Sequence, residues 1–246
     1  RIKLLCTIAY IVALFLAKGP ATYAVVFAVL AVSVAVSTVS PRSILRGLKP
    51  VVFLLIFTAV LNVLYYPGEH VLCSFWVFTV TLEGIIHAVF MVLRIMLLIS
   101  GTFLLTYTTS PLELTDALES LLSPLKKLHL PIHELAMMMS IALRFIPTLI
   151  EETDKIMSAQ RARGADFDSG NLIEKAKALI PLLVPLFISA FRRADELATA
   201  MECRCYHGGD GRTRMKQLHS RPSDYAVLSA FIALCVLVGF LARAGL

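Results

Sequence analysis

Residues 21–39 are nineteen in a row without a charge, and residues 84–106 are twenty-three in which only His87 and Arg94 are strongly polar. A helix needs about 20 mostly apolar residues to cross the hydrocarbon of a bilayer. Residues 224–242 make a third such run, charged only at Asp224. The stretches 4–17 and 51–65 are shorter, but flanking Lys and Tyr side chains can reach the interface and let them span. Lys18-Gly19-Pro20 leaves room only for a hairpin turn between the first two. The expectation is an all-α integral membrane protein with about five transmembrane helices. Of the 246 residues, 58% are hydrophobic and only 16% charged, where a globular domain has about a quarter charged. That balance excludes intrinsic disorder, a collagen-like fibre and a disulfide-stapled secreted domain.

Charge is concentrated in one part of the chain. Residues 111–223 hold 15 of the 23 basic and 14 of the 17 acidic side chains, leaving 8 and 3 elsewhere. A near-neutral, mixed-sign region is not a nucleic-acid footprint, where one sign dominates. The chain divides accordingly into a transmembrane region of four spans (1–110), a charged central region (111–222) and a final transmembrane helix (223–246). The five cysteines, Cys6, Cys73, Cys203, Cys205 and Cys235, are odd in number and scattered, so they spell neither a disulfide framework nor a zinc site.

Basic residues in short loops set orientation. Arg1 and Lys3 precede the first span, and Arg42, Arg46 and Lys49 fill the 41–50 loop, whereas Pro67-Gly68-Glu69-His70 has none. The amino end, the 41–50 loop and the central region are therefore expected on the cytoplasmic side, with the carboxyl end outside. Residues 71–80, β-branched and aromatic, are too short to span and are expected against the outer surface. No A-x-A-like site follows the first apolar run, so no signal peptide is read, and an opening Arg in place of Met suggests further residues upstream.

Three helices can be drawn in the central region. The first starts at Ser110-Pro111, Ser as N-cap, Pro at the first helical position and Glu113 in the first turn, and runs to about Leu122. The second follows Pro131 and runs to Arg163, stopped by Gly164; the third runs from near Leu172 to Cys205, before Gly208-Gly209-Asp210-Gly211. The second and third are built alike. Each has an apolar half carrying proline (Pro147 in 135–150; Pro181 and Pro185 in 178–191), too short to span and expected at the membrane interface. Each then has an amphipathic half, with Leu149, Ile150, Thr153, Ile156 and Met157 on one face of the second helix and Phe191, Ala194, Leu197, Ala198 and Met201 on one face of the third. Glu151 with Lys155 and Arg192 with Glu196 stand at i,i+4 on the charged sides. Each helix ends in a small-Arg-small triplet: Ala162-Arg163-Gly164 and Cys203-Arg204-Cys205. One Arg near a carboxyl end needs no more than the helix dipole to explain it. Two like-built helices ending the same way point to a pair of contact sites, where a planar guanidinium pairs with a partner's carboxylate.

At these residues the chain resembles the transmembrane T component of energy-coupling factor transporters. The two triplets look like that family's paired X-Arg-Gly motifs, and Arg1-Ile2-Lys3 resembles the end of its amino-terminal Asp-Pro-Arg-x-Lys stretch. Ser140-Ile141-Ala142-Leu143-Arg144-Phe145-Ile146-Pro147 and Arg192-Arg193-Ala194-Asp195-Glu196-Leu197-Ala198 also look like family text. Cys205 departs from the pattern, standing where the family has Gly. The resemblance implies a non-catalytic scaffold without a cofactor. It would hold a substrate-binding S component in the membrane and dock through coupling helices on two ABC-type ATPase subunits. Arg163 and Arg204 would each sit in one ATPase groove, and the proline-broken halves would face the S component. The substrate class, a vitamin, a vitamin precursor or a metal ion, would belong to the S component.

Other readings find less support. Without G-x-x-x-x-G-K-[ST] the chain has no P-loop for ATP, and Gly208–Arg212 lacks the Lys and reads as a linker. Glu151, Glu152, Asp154, Asp166 and Asp168 could serve a membrane enzyme acting on a lipid headgroup, but Glu151, Glu152 and Asp154 point in different directions on one helix and have Lys155, Arg161 and Arg163 among them. His129 and His133 are separated by Pro131, which breaks the register a metal pair needs. A pore-forming permease of a conventional ABC importer would need more polar lining than one mid-span charge. That charge, Arg94, costs about 2.5–3.5 kcal/mol at mid-membrane on the insertion scale. It is expected to turn inward, with Thr58 or Asn62 as acceptor. The basic segment 212–216 is expected to meet anionic headgroups.

Overall fold

The computed structural model describes residues 1–66, 70–75, 78–124, 131–167, 171–208 and 221–243. The described helices are α1 (Ile2–Leu16), α2 (Pro20–Val36), α3 (Pro41–Leu48), α4 (Val52–Tyr65), α5 (Leu82–Thr108), α6 (Pro111–Leu122), α7 (Ile132–Ala162), α8 (Leu172–Glu202) and α9 (Pro222–Arg243), with a 3-10 turn at Lys49–Val51. The fold is all-α apart from one antiparallel hairpin, β1 (Val71–Phe75) and β2 (Phe78–Thr81), formed by the β-branched segment before α5. The chain forms two compact units, Arg1–Leu114 with Leu218–Leu246, and Thr115–Gln217.

Among the described residues, four helical stretches are long and apolar enough to cross a membrane: Pro41–Tyr65, Leu82–Thr108, Ile132–Ala162 and Pro222–Arg243. Ile2–Leu16 and Pro20–Val36 are apolar but shorter. Two sequence expectations change here. The run 21–39 ends as a helix at Val36, because Ser37 turns extended and its hydroxyl accepts from Val39 N at 3.1 Å. The 41–50 loop is instead the helix α3, opened by Pro41 at its first position. Ile44 and Leu48 are buried one turn apart while Arg42 and Arg46 are exposed.

The core of the first unit gathers Tyr10, Leu14 and Ala17 of the first hairpin with Tyr23, Val26 and Leu30 of α2, Leu97 of α5, and Leu234 and Val238 of α9. Small residues set the closest approaches. A Cβ on Gly101 would lie 2.5 Å from the Tyr10 ring, and one on Gly47 2.5 Å from Phe103. Three hydrogen bonds fix α1 antiparallel to α5. Lys3 Nζ donates to Thr108 O at 3.0 Å, Tyr10 Oη to Leu97 O at 3.0 Å, and an Arg94 Nη to Ala17 O at 2.9 Å. α5 begins at Thr81, whose hydroxyl accepts from Gly84 N at 3.1 Å.

In the second unit, His133 Nδ1 lies 3.0 Å from Glu119 Oε1 and ties α7 to α6. α7 and α8 are each 31 residues and remain helical through Pro147 and through Pro181 and Pro185. α8 opens on a capping box, with Glu174 accepting from Asn171 N at 3.0 Å. It closes at Glu202 and not at Cys205 as expected, because residues 203–205 form its terminal turn.

Candidate docking site

The two arginine triplets end their helices in the same way. At the end of α7, Ala165 N donates to Gln160 O at 3.0 Å and Gly164 N to Arg161 O at 3.0 Å, with Gly164 at φ 87°. At the end of α8, Tyr206 N donates to Met201 O at 3.1 Å and Cys205 N to Glu202 O at 2.8 Å, with Cys205 at φ 55°. Both are paired carboxyl-terminal caps closed by one left-handed residue. Cys205, the departure from the family pattern, adopts the conformation that glycine supplies at Gly164. The residue just before the left-handed one is Arg163 in the first cap and Arg204 in the second, and both are exposed. Ala162, Gly164, Cys203 and Cys205 around them are exposed as well.

Upstream of the caps the two helices touch. An Arg193 Nη donates to Glu152 Oε2 at 2.9 Å. A hydrogen bond with Ser189, and after it the Arg193 guanidinium, hold the Glu152 carboxyl below its usual range. The sequence placed this region's charges in pairs along each helix; the ion pair described here instead runs between the helices. Its signal was present in the complementary doublets Glu151-Glu152 and Arg192-Arg193.

The apolar halves are open. Leu135, Met138, Met139, Ile146 and Ile150 of α7 are exposed, as are Leu179, Ile180, Leu183, Val184, Phe187 and Ile188 of α8. Pro147 and Pro181 are exposed and Pro185 is half-buried. Apolar surface on this scale marks contact with lipid or with another protein.

Arg94 turns into the bundle, but to acceptors other than the expected ones. Its Nε donates to Tyr23 Oη at 2.8 Å and an Nη to Ala17 O, with the Phe15 and Tyr23 rings 6.0 and 5.8 Å away. Thr58 and Asn62 bond elsewhere: the Thr58 hydroxyl donates to Leu54 O, and the Asn62 amide donates to Thr58 O and to Met91 Sδ of α5. Ala17 O is available because α1 has ended, and a helix leaves its last carbonyls without partners.

Among the described residues no group of three His, Cys, Asp or Glu side chains could hold a metal ion. His129, Asp168 and the basic segment 212–216 lie outside the described residues. Asp166 is described, in the segment after the α7 cap.

Apolar helices long enough to span, together with two like-built arms that each end in an exposed arginine, define a helical membrane protein. Residues 1–215 match the model of the cobalt transport protein family, CbiQ. The energy-coupling factor transporter transmembrane protein EcfT of Clostridium kluyveri is 56% identical over 238 residues, covering 96% of this chain and 88% of that protein. EcfT of Bacillus subtilis is 47% identical over 241 residues, covering 98% and 91%. The chain belongs to this family, the transmembrane components of energy-coupling factor transporters, and is a non-catalytic transporter subunit of the membrane.

Proposed function

We propose that the chain is the coupling subunit of an ATP-driven importer, linking two ABC-type ATPase subunits to a substrate-binding S component. The observation that carries this reading is the pair of matching caps, which present Arg163 and Arg204 exposed in the same local geometry. A guanidinium on a well-formed helix end is suited to a bidentate bond with a partner's carboxylate. Two such ends suit two partners. The exposed apolar halves of α7 and α8 support contact with the S component and lipid. Pro147, Pro181 and Pro185 lie within those halves, upstream of the arginines, and serve as hinges, each removing one backbone hydrogen bond from the helix. The coupling region lies in the cytoplasm of a bacterial cell, on the side set by Arg1, Lys3, Arg42, Arg46 and Lys49. The S component determines whether a vitamin, a vitamin precursor or a metal ion is carried.

Arg163→Ala and Arg204→Ala test the reading. Each residue sits at an exposed helix end, where loss of a dipole contact costs about 1 kcal/mol at most. Both variants should therefore insert and fold. Truncating a hydrogen-bonded charge pair at an interface costs about 2–5 kcal/mol, so ATPase recovered by affinity purification should fall steeply, most in the double variant. Full recovery and normal uptake in the double variant would end the docking assignment, and failed insertion of a single variant would assign the arginine to the fold.

A further inference from the structure

α7 and α8 are two copies of one pattern offset by 41 residues. At that offset Arg163 falls on Arg204, Asp154 on Asp195, Ser158 on Thr199 and Ala159 on Ala200. The structure repeats at the same spacing. Ser158 Oγ donates to Asp154 O at 2.8 Å and Thr199 Oγ1 to Asp195 O at 2.9 Å, and the two caps correspond bond for bond. Glu152 and Arg193 are also 41 residues apart, and these two equivalent positions are bonded to each other at 2.9 Å.

A contact between equivalent positions is what a local two-fold axis produces. Like side chains meeting on such an axis would repel if charged, and here one copy carries Glu151-Glu152 where the other carries Arg192-Arg193. We infer that the Glu152–Arg193 bond is the pivot of a local two-fold relating α7 to α8, and that it positions Arg163 and Arg204 at equal reach. Each arginine is eleven residues beyond its pivot residue, about 16 Å along its helix. The arms diverge from the pivot. If the helices ran parallel there, Ala162 and Leu172 would stand about 46 Å apart, more than the roughly 36 Å that ten residue steps can span. The two arginines are then at most about 33 Å apart. A partly exposed ion pair adds little to stability; its effect is on where the two helices meet.

The consequence for assembly rests on the docking reading above. Two ends held at a fixed separation engage a pair of sites with an avidity that loosely joined ends lose. Glu152 and Arg193 are therefore positioning residues for the two docking arginines.

Spin labels test the pivot in the full chain in lipid nanodiscs, without ATPases. Native Cys203 and an Ala162→Cys substitution occupy equivalent positions and carry the labels, with Cys6, Cys73, Cys205 and Cys235 changed to Ser. The expected result is one narrow distance distribution that broadens in Arg193→Ala and in Glu152→Gln. It should narrow again in the exchanged pair Glu152→Arg with Arg193→Glu, a recovery that a merely space-filling role would not give. Distributions unchanged by both single substitutions, or not restored by the exchange, would overturn the pivot. With ATPases added, the single variants should bind about tenfold or more weakly and the exchanged pair should recover. Distances that respond while ATPase binding does not would uphold the pivot and overturn the docking reading instead.

Discussion

Cys205 holds a left-handed backbone conformation that costs an L side chain about 1–2 kcal/mol and that glycine adopts freely. Cys205→Gly should therefore raise stability by about 1 kcal/mol, seen as a higher melting temperature in detergent. Gly164→Ala should lower it by a similar amount, since the added Cβ meets nothing within 4 Å and only the backbone term is left. Arg94 makes a stiffer demand. Arg94→Lys keeps the charge but loses the planar fork that reaches both Tyr23 Oη and Ala17 O. The variant should melt as if about 1–3 kcal/mol less stable, the cost of a buried acceptor left without its donor. An unchanged melting temperature would mean that one acceptor suffices. Arg94's inward turn was legible in the sequence, because a mid-span charge must find partners. The partners were not. Thr58 and Asn62 looked available by residue type, yet Arg94 meets the Tyr23 hydroxyl and the Ala17 carbonyl, and a main-chain carbonyl is an acceptor that any residue type could have offered.

The helix starts were legible where their chemistry is local. Ser110 and Pro111 announce α6, and Ser110 Oγ accepts from Glu113 N at 3.3 Å. α3 was read as a loop because Arg42, Arg46 and Lys49 dominate so short a segment. Its signals were the Ser40-Pro41 start and the spacing of Ile44 and Leu48, one turn apart. The end of α8 was misplaced by three residues because a Cys at the left-handed position gives none of the warning that Gly164 gives. The link between α7 and α8 was not legible either: pairs at i,i+4 follow from one helix, whereas Glu152 and Arg193 meet only once two helices pack. Proline supplies the prediction for these elements. Pro181→Ala with Pro185→Ala restores backbone donors within α8 and should stiffen it. If the prolines are hinges, the assembled complex should hydrolyse ATP at its normal rate while uptake falls. Proportional loss of both activities, or of neither, would reduce them to fixed bends.

At the scale of the whole chain, uneven charge was the most informative feature of the sequence, because apolar helices tolerate few ions while residues 111–223 carry most of them. Length was less decisive. α7 is as long and apolar as a spanning helix, although its apolar half is interrupted by Arg144 and Pro147. Single cysteines at 138 and 183, probed from outside intact cells with an impermeant maleimide, should stay unlabelled if both apolar halves lie at the cytoplasmic side. Labelling of either would make that segment a true span.

α1 and α2 have 15 and 17 residues, about 22 and 26 Å of helix, against a hydrocarbon core of about 30 Å. The end of α1 meets α5 at Arg94, twelve residues inside the longer helix. Lipid beside this hairpin must thin or tilt to meet it, at a cost of fractions of a kcal/mol per Å of hydrophobic mismatch. Bilayer thickness thus becomes a quantity to which the protein responds. In phospholipids with shorter acyl chains it should melt at a higher temperature than in long-chain ones.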